Sequence, residues 1–405
     1  MCINTQSLLT KMAKELNIGL MKNYSECPLA HKCGGCQLQS LSYKEQLDYK
    51  TDEVYDTLGS WNQIAPIVSM EHPTNYRNKT QVVFDSQKGK IVSGIYQSGT
   101  HRVIPIKSCM IQDKESDEIL QTIRQLMKKS QLAPYNEDNG RGVVRHVLIR
   151  KGTQTHEIMV VLVCGTPIIP NLKNFVALLK QSNKNIKTIL INYNDERTSM
   201  VLSDEPEDIL YGKGYIEDTL CGMTFRISPK SFYQVNSIQA EKMYNIAMSM
   251  ARLKETDVVL DAYCGTGTIG LIAAKQGIKS LIGVEVNAQA IEDANHNAFR
   301  NGIENATFVC EDASTYIGKM VDDNQKIDVL FMDPPRSGSD KNFLNSVMKL
   351  EPETIVYISC NMNTLDRDLK VLCKSYDVIG IQPVDMFPYT THIENIVLLQ
   401  RIKEQ

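Results

Sequence analysis

The sequence lacks any run of about 18 consecutive apolar residues, the length a membrane-spanning helix requires. Its most apolar stretch, residues 158–170, is interrupted by Gly165, Pro167 and Pro170. It also lacks an export signal: Lys11 and Lys14 follow a short Leu8 and Leu9 pair, with no long apolar core and no small-residue cleavage site. These two absences predict a cytoplasmic protein with no membrane contact. Internal repeats and low-complexity linkers are missing as well. With 42% hydrophobic and 22% charged residues, the composition excludes disorder and collagen-like structure, and 405 residues suggest two or three domains. Cysteine is not scarce. Eleven in a chain without an export signal argue against a disulfide framework and leave metal binding and thiolate chemistry.

Net charge is also small, at −3, but it is unevenly spread. Residues 1–234 hold 28 basic and 24 acidic side chains, a balance of +4, and the remainder holds 16 and 23, a balance of −7. Residues 75–107 carry Arg77, Lys79, Lys88, Lys90, Arg102 and Lys107 against Asp85 alone. Residues 141–151 add Arg141, Arg145, Arg150 and Lys151. Such a half suits a polyanion, although a solvated strand-rich face would look the same.

Residues 1–23 read as a helical lead. Residues 24–230 read as a mixed α/β domain, with short β-branched runs at 81–84 and 91–96, helical spacing over 117–129 and 172–179, and strands at 143–150, 157–164 and 187–193. From 231 to 405 a helix over 239–253 leads into strands at 257–261, 281–285, 306–310, 327–332, 354–358, 377–383 and 394–400. That alternation predicts a doubly wound parallel sheet whose ligands cross the carboxyl ends of its strands. The residues ending those strands are therefore the candidates for chemistry.

The first such strand runs into Asp261, Ala262, Tyr263, Cys264, Gly265, Thr266, Gly267, Thr268, Ile269 and Gly270, a G-x-G-x-x-G turn. A dinucleotide would use it to approach a pyrophosphate, with Glu285 for a ribose. S-adenosylmethionine is the rival, and Asp261 favours it, because a carboxylate suits an ammonium and a sulfonium but repels a pyrophosphate. The fourth strand ends in Asp333, Pro334, Pro335 and Arg336, a stiff acidic loop of the kind methyltransferases acting on planar bases place beside the methyl group. The fifth ends in Ser359, Cys360 and Asn361, where a helix start would lower a thiol pKa. Cys264, Cys310 and Cys373 read instead as small buried hydrophobes. The last strand is preceded by residues 385–394, which offer Asp385, His392 and Glu394 as proton acceptors. A thiol, a base and a methyl donor together point to C5 of uracil. That carbon is too weak a nucleophile until a thiolate adds at C6 and places enolate density on it.

In these residues the chain resembles the RNA uracil-5-methyltransferases, in particular their iron-sulfur 23S rRNA branch. The likeness rests on Ser231 to Asn236, Asp261 to Gly267, Gly283 to Glu285, Asp333 to Arg336, Ser359 to Asn361 and His392 to Glu394. It implies that Gln234, Tyr263, Glu285 and Asp333 contact S-adenosylmethionine, with Asp312 at the adenine end. It further implies that Cys360 is the nucleophile and Glu394 the base. The fold implied is a Rossmann-like methyltransferase domain behind an RNA-binding domain that carries the cluster. The small N-terminal RNA-binding barrel of longer members has no counterpart before Cys27. The common Cys-Asn-Pro is Cys360, Asn361 and Met362 here.

Cys27, Cys33 and Cys36 lie within ten residues, with Gly34 and Gly35 letting the backbone curl. A 4Fe-4S cluster wants four thiolates, and zinc is the competitor. By the resemblance, Cys109 is the fourth ligand. The implied activity is S-adenosylmethionine-dependent methylation of a uridine in 23S ribosomal RNA, with no protein partner required. Tyr76, Arg77, Asn78, Lys79 and residues 141–151 are candidate RNA contacts. A tRNA-specific enzyme and a non-catalytic RNA-binding assembly factor are the alternatives, and an NAD-dependent enzyme is more distant. Retention of both Cys360 and Glu394 argues against a pure binder.

Overall fold

The computed structural model describes residues 27–403 apart from 98, 197 and 199, so the helical lead over 1–23 lies outside the described residues. Two seven-stranded sheets organise the chain. The first has the order β3-β2-β1-β4-β5-β6-β7. Its strands are β1 (Lys79–Gln87), β2 (Lys90–Tyr96), β3 (Val103–Pro105), β4 (Val144–Lys151), β5 (Ile158–Cys164), β6 (Ile186–Tyr193) and β7 (Asp208–Tyr211). All its neighbours are antiparallel except β5 and β6. The helices Lys114–Lys129 and Leu172–Ser182 cover one face through Ile119, Ile123, Met127, Phe175 and Leu179. The other face presents Leu148, Met159, Val161 and Leu190 to the C-terminal half. Coverage on both sides explains why β5 reads as an unbroken apolar run rather than an alternation.

Between the sheets lies the hairpin β8 (Ile216–Leu220) and β9 (Met223–Ile227), followed by the helix Ser237–Ala251. The hairpin and β7 were not anticipated, because short strands in a polar context carry little periodicity.

The second sheet contains β10 (Val258–Ala262), β11 (Ser280–Glu285), β12 (Ala306–Cys310), β13 (Val329–Met332), β14 (Thr354–Ser359), β15 (Tyr376–Val384) and β16 (Glu394–Arg401). All seven match the expected strands within about two residues. Their order is β12-β11-β10-β13-β14-β16-β15. The expected all-parallel sheet needs one correction, since β16 runs antiparallel to both β14 and β15. It returns through a short connection from β15 and inserts between the two, which a parallel strand could not do without a crossover.

Residues 36–70 precede the first sheet but pack on the second. Val54, Leu58 and Ile64 join the core around Tyr357, Tyr376 and Ile381, and isolated bridges pair Ile64 with Ile381 and Val68 with Val384. The helix Tyr43–Leu58 begins in a Ser42/Glu45 capping box. It delivers Lys50 to Asp385, with Nζ and Oδ1 2.5 Å apart and both side chains fully buried. Tyr43 donates to the other oxygen of Asp385 at 2.7 Å, and Lys50 also donates to the Phe387 carbonyl at 3.1 Å. Asp385, a possible proton acceptor by sequence, is thus committed to structure.

A buried ion pair is costly to halve and cheap to replace whole. Asp385→Asn or Lys50→Met alone should cost about 3–5 kcal/mol in urea unfolding, because either leaves one partner buried and uncompensated. The double variant Lys50→Met/Asp385→Leu should recover most of that loss. Two single losses that simply add in the double variant would show that the pair is not coupled.

Candidate active site

The turn after β10 forms because Gly265 and Gly267 take φ of +55° and +78°, and Tyr263 joins them at +64°. A Cβ on Gly270 would lie 2.8 Å from Leu281 and 2.9 Å from Asp261 Oδ2, so this glycine lets the following helix press on the sheet. Its N–H donates to that same oxygen at 2.7 Å. Asp261 is fully buried and its Oδ1 has no partner. Burial pushes its carboxyl up to about 8. An unpaired buried carboxylate oxygen fits a cationic ligand and repels a pyrophosphate.

Glu285, at the end of β11, accepts from the N–H of Gly265 at 3.2 Å and of Asn287 at 2.8 Å. These bonds hold its carboxylate against the glycine turn and leave lone pairs for hydroxyl donors. Tyr263 donates to Ser339 Oγ at 3.3 Å and packs its ring on Phe343, with centroids 5.2 Å apart. Asp312 caps the helix Ala313–Asp322 by accepting from Thr315 N at 3.0 Å, and its charge is felt by Tyr263.

The antiparallel β16 decides the rest. Its register pairs Ser359 with Asn395, so Cys360, one step past the end of β14, lies across from Glu394, the first residue of β16. Asp333 stands between them electrostatically. Burial first, then Asp333, pushes the Glu394 carboxyl well above its ordinary range, and the Arg336 guanidinium opposes the shift. Burial likewise raises Asp333. Sequence analysis led us to expect a lowered thiol pKa for Cys360, and this is corrected. Burial, Glu394 and Asp333 raise it, and these outweigh Arg336, whose charge and hydrogen bond both pull it down.

Two groups in this crevice escaped the sequence reading. Tyr244, on the buried face of the helix Ser237–Ala251, is bonded to the Gln234 side chain and feels Asp333, Glu394 and Asp261. Its only signal was helical spacing, which any core residue shares. Arg336 was visible in the acidic loop but carried no role until its side chain was seen at Cys360. Gln234 is itself buried, and its carbonyl accepts from Asn78 Nδ2 at 3.0 Å. His392 stacks edge-on to Phe387 at 6.3 Å, and burial lowers its pKa.

A family model described as tRNA (Uracil-5-)-methyltransferase matches residues 42–402. The chain belongs to this family. It is a class I S-adenosylmethionine-dependent RNA methyltransferase of the uracil-5 type. An RNA methyltransferase of Bacillus cereus is 40% identical over 386 residues, covering 94% of this chain and 84% of that protein. One from Staphylococcus epidermidis is 39% identical over 412 residues, covering 98% and 90%. Among solved structures, the Pyrococcus abyssi tRNA (uracil-54, C5)-methyltransferase in complex with S-adenosyl-L-homocysteine superposes with a TM-score of 0.78 at 28% identity, covering 92% of this chain and 86% of that one.

Four cysteines of the methyltransferase's N-terminal half, Cys27, Cys33 and Cys36 before β1 and Cys109 after β3, come within electrostatic reach of one another. Cys36 is pushed up to about 12 by burial and by the facing thiols of Cys109, Cys33 and Cys27. Gly34 closes the helix Ala30–Cys33 at φ +69°, and Cys36 and Cys109 pack beside Met70, Tyr76 and Ile111. Among the described residues, no three His, Cys, Asp or Glu side chains close on a single metal ion. Of the other cysteines, Cys264 is buried, Cys373 is half-buried and Cys310, on the edge strand, is exposed. The expectation of burial fails for Cys310.

Most of the candidate RNA contacts are also corrected. Arg145 is buried and forks onto Glu137 at 2.6 and 3.0 Å. Arg150 donates to the Ser231 carbonyl at 2.5 Å, and Lys151 pairs with Asp113 and Glu115 at 2.8 and 2.9 Å. Tyr76 donates to the Pro388 carbonyl at 2.9 Å, and Asn78 ties the Gln234 loop to Ser237. For Arg145, Arg150 and Lys151 the reason is that β4 is a central strand whose cations serve carbonyls and carboxylates, and Tyr76 and Asn78 are buried just before β1. Arg141 is exposed, whereas Arg77 and Lys79 are half-buried, and burial lowers the pKa of the Lys79 ammonium to about 8.

Asp333 and Glu394 give the free enzyme a pH signature. Each has a folded pKa above its unfolded value near 4, so its contribution to stability is complete below that value and is lost as pH rises through the folded pKa. Asp333→Asn and Glu394→Gln should therefore melt higher than wild type at pH 8, with the gap closing toward pH 4. Parallel melting curves across that range would show that the carboxyls are not perturbed.

Proposed function

We propose that this methyltransferase modifies C5 of a uridine in 23S ribosomal RNA through a covalent adduct with Cys360. The observation that carries the reading is the meeting of Cys360 and Glu394 across the β14 and β16 register, with Asp333 and Arg336 beside them. Cys360, having given its proton to solvent with Arg336 favouring the thiolate, adds through its sulfur to C6 of a base turned out of its stack. The C5–C6 π electrons move onto C5 and the O4 carbonyl. S-adenosylmethionine, when bound, supplies an electrophilic methyl on a sulfonium, and C5 takes it. Glu394 then removes the C5 proton, the electrons of that bond reform the C5–C6 double bond, and the Cys360 thiolate leaves. Arg336 is placed to favour the thiolate at both ends of this cycle. A cation entering beside Asp333 and Glu394 lowers their pKa values and readies Glu394 as a base. Gln234, Tyr263, Glu285 and Asp333 hold the donor, with Asp312 toward its adenine end. Phe232 is 66% exposed beside buried Tyr233 and Gln234, and offers a ring on which a base can stack.

Cys27, Cys33, Cys36 and Cys109 are the residues that would hold a 4Fe-4S cluster. What supports this reading is that the thiols of Cys27, Cys33 and Cys109 all act on Cys36, and four thiolates are the usual complement of such a cluster. Methyl transfer needs no electron, so the cluster's part is to tie the Cys27–Cys36 segment to the first sheet. The cluster favours the ribosomal over the transfer RNA substrate by resemblance to the iron-sulfur branch.

Incubating each variant with cognate 23S rRNA or bulk tRNA and labelled donor tests the mechanism and the target together. Cys360→Ala should form neither product nor adduct. Glu394→Gln should stop after methyl transfer, with labelled RNA still joined to the protein on a denaturing gel. Label in tRNA alone would move the target, and methylation by Cys360→Ala would end the covalent mechanism.

Anaerobically purified protein should be brown and contain about four iron and four sulfide per chain, and Cys33→Ser or Cys109→Ser should lose most of both. Stoichiometric zinc without sulfide would replace the cluster by a zinc site.

A further inference from the structure

Three large surface cavities lie on the N-terminal body. Two of them are lined by Glu137 and Asp138. The third, of about 830 Å3, runs between the helix Lys114–Lys129 and the edge formed by β2 and β3. Lys90, Lys107, Arg124 and Lys128 line it, and no carboxylate does. Lys90, Lys107 and Lys128 are exposed, and among the described residues none of them is in an ion pair. Gln121 and Gln125 add amide donors between the cations. Burying even part of such a groove without an anion would leave several positive charges facing one another, so its composition selects a polyanion.

We propose that this groove is a docking track for the sugar-phosphate backbone of the RNA substrate, outside the segment that holds the target base. The proposal rests on the RNA methyltransferase reading and deepens it. The groove opens on the helix-covered face of the first sheet, whereas the C-terminal domain packs on the opposite face. An RNA whose target uridine lies at Cys360 would therefore have to pass an edge of the first sheet to enter it. That demands a substrate longer than a single target loop. The walls are held at fixed spacing: Gln121 Nε2 donates to the Lys107 carbonyl at 3.4 Å, and Cys109 N donates to Asp117 Oδ2 at 2.8 Å. The second bond joins the thiol cluster to the helix that forms one wall, which gives the cluster a mechanical role in presenting the track.

The test compares wild type with Lys90→Glu/Lys107→Glu/Lys128→Glu and with a control of equal charge change, Lys326→Glu/Lys349→Glu/Lys374→Glu, whose positions are exposed on the C-terminal domain. Binding of cognate 23S rRNA and of bulk tRNA is measured over a salt series, with melting curves to verify folding. Each phosphate contact contributes about 0.7 to 0.9 to the slope of log K against log salt. The groove variant should therefore lose roughly 2 to 3 from that slope, and at least ten-fold in affinity at about 0.1 M salt, on one or both RNAs. Methylation of a short stem-loop carrying the target uridine should persist, and the control should behave as wild type. Unchanged slopes for both RNAs overturn the track, as does an equal loss in the control, which would reduce the effect to net charge. A wild-type protein that methylates neither RNA defeats the uracil reading instead, and the binding arms still judge the groove.

Discussion

One strand running against its neighbours carries the chemistry of this protein. In a wholly parallel sheet, the first residue of the last strand would sit at the amino edge, a full strand length from the glycine turn and the acidic loop. Because β16 is antiparallel, its first residue sits instead at the carboxyl edge, beside the exit of β14. Glu394 and Cys360 face one crevice for that reason. The insertion of β16 between β14 and β15 also places it inside the sheet, where its backbone is bonded on both sides. A base carried on a central strand is held more rigidly than one carried on a loop.

The crevice is built from groups that raise each other's energy. Asp333, Glu394 and Asp261 are carboxyls in a poorly solvated setting, and Cys360 is a thiol among them. In the free protein each favours its protonated state. Arg336 is the nearby cation that works in the other direction. On the proposed mechanism, a cationic methyl donor entering such a site would draw protons off these carboxyls, so donor binding and activation of the base would share one electrostatic source. The Lys50 and Asp385 pair is neutral within itself and fastens the loop that leads into β16.

The N-terminal body is tied to this crevice at several points rather than hung from a linker. Asn78 reaches the Gln234 carbonyl and Ser237. Tyr76 reaches the Pro388 carbonyl, and Arg150 reaches the Ser231 carbonyl. Tyr76 and Asn78, just before β1, and Arg150, on β4, each hold a loop of the C-terminal half. A displacement of the first sheet would therefore be transmitted to the loop carrying Gln234 and to the one preceding Glu394.

Local pattern in the sequence was enough to place the seven C-terminal strands, the glycine turn, the acidic loop and the cysteine spacing, because strand periodicity, glycine turns and proline loops depend on near neighbours. It was also enough to nominate Cys360 and to place a proton acceptor within residues 385–394, while the choice of Glu394 came from the family resemblance. Other features were not legible. Tyr244 looks like any apolar-face residue until Gln234 and Asp333 surround it. Arg145 and Arg150 look like surface cations until β4 is covered on both faces. The thiol of Cys360 looks activated by its helix until two carboxyls are brought beside it. In each case the missing information is long-range, because burial and the field of charges distant in sequence are set only when the sheets close on one another. Composition and spacing determined which chemical groups this protein carries, and tertiary structure decided which of them face water, which face each other, and which merely hold the rest in place.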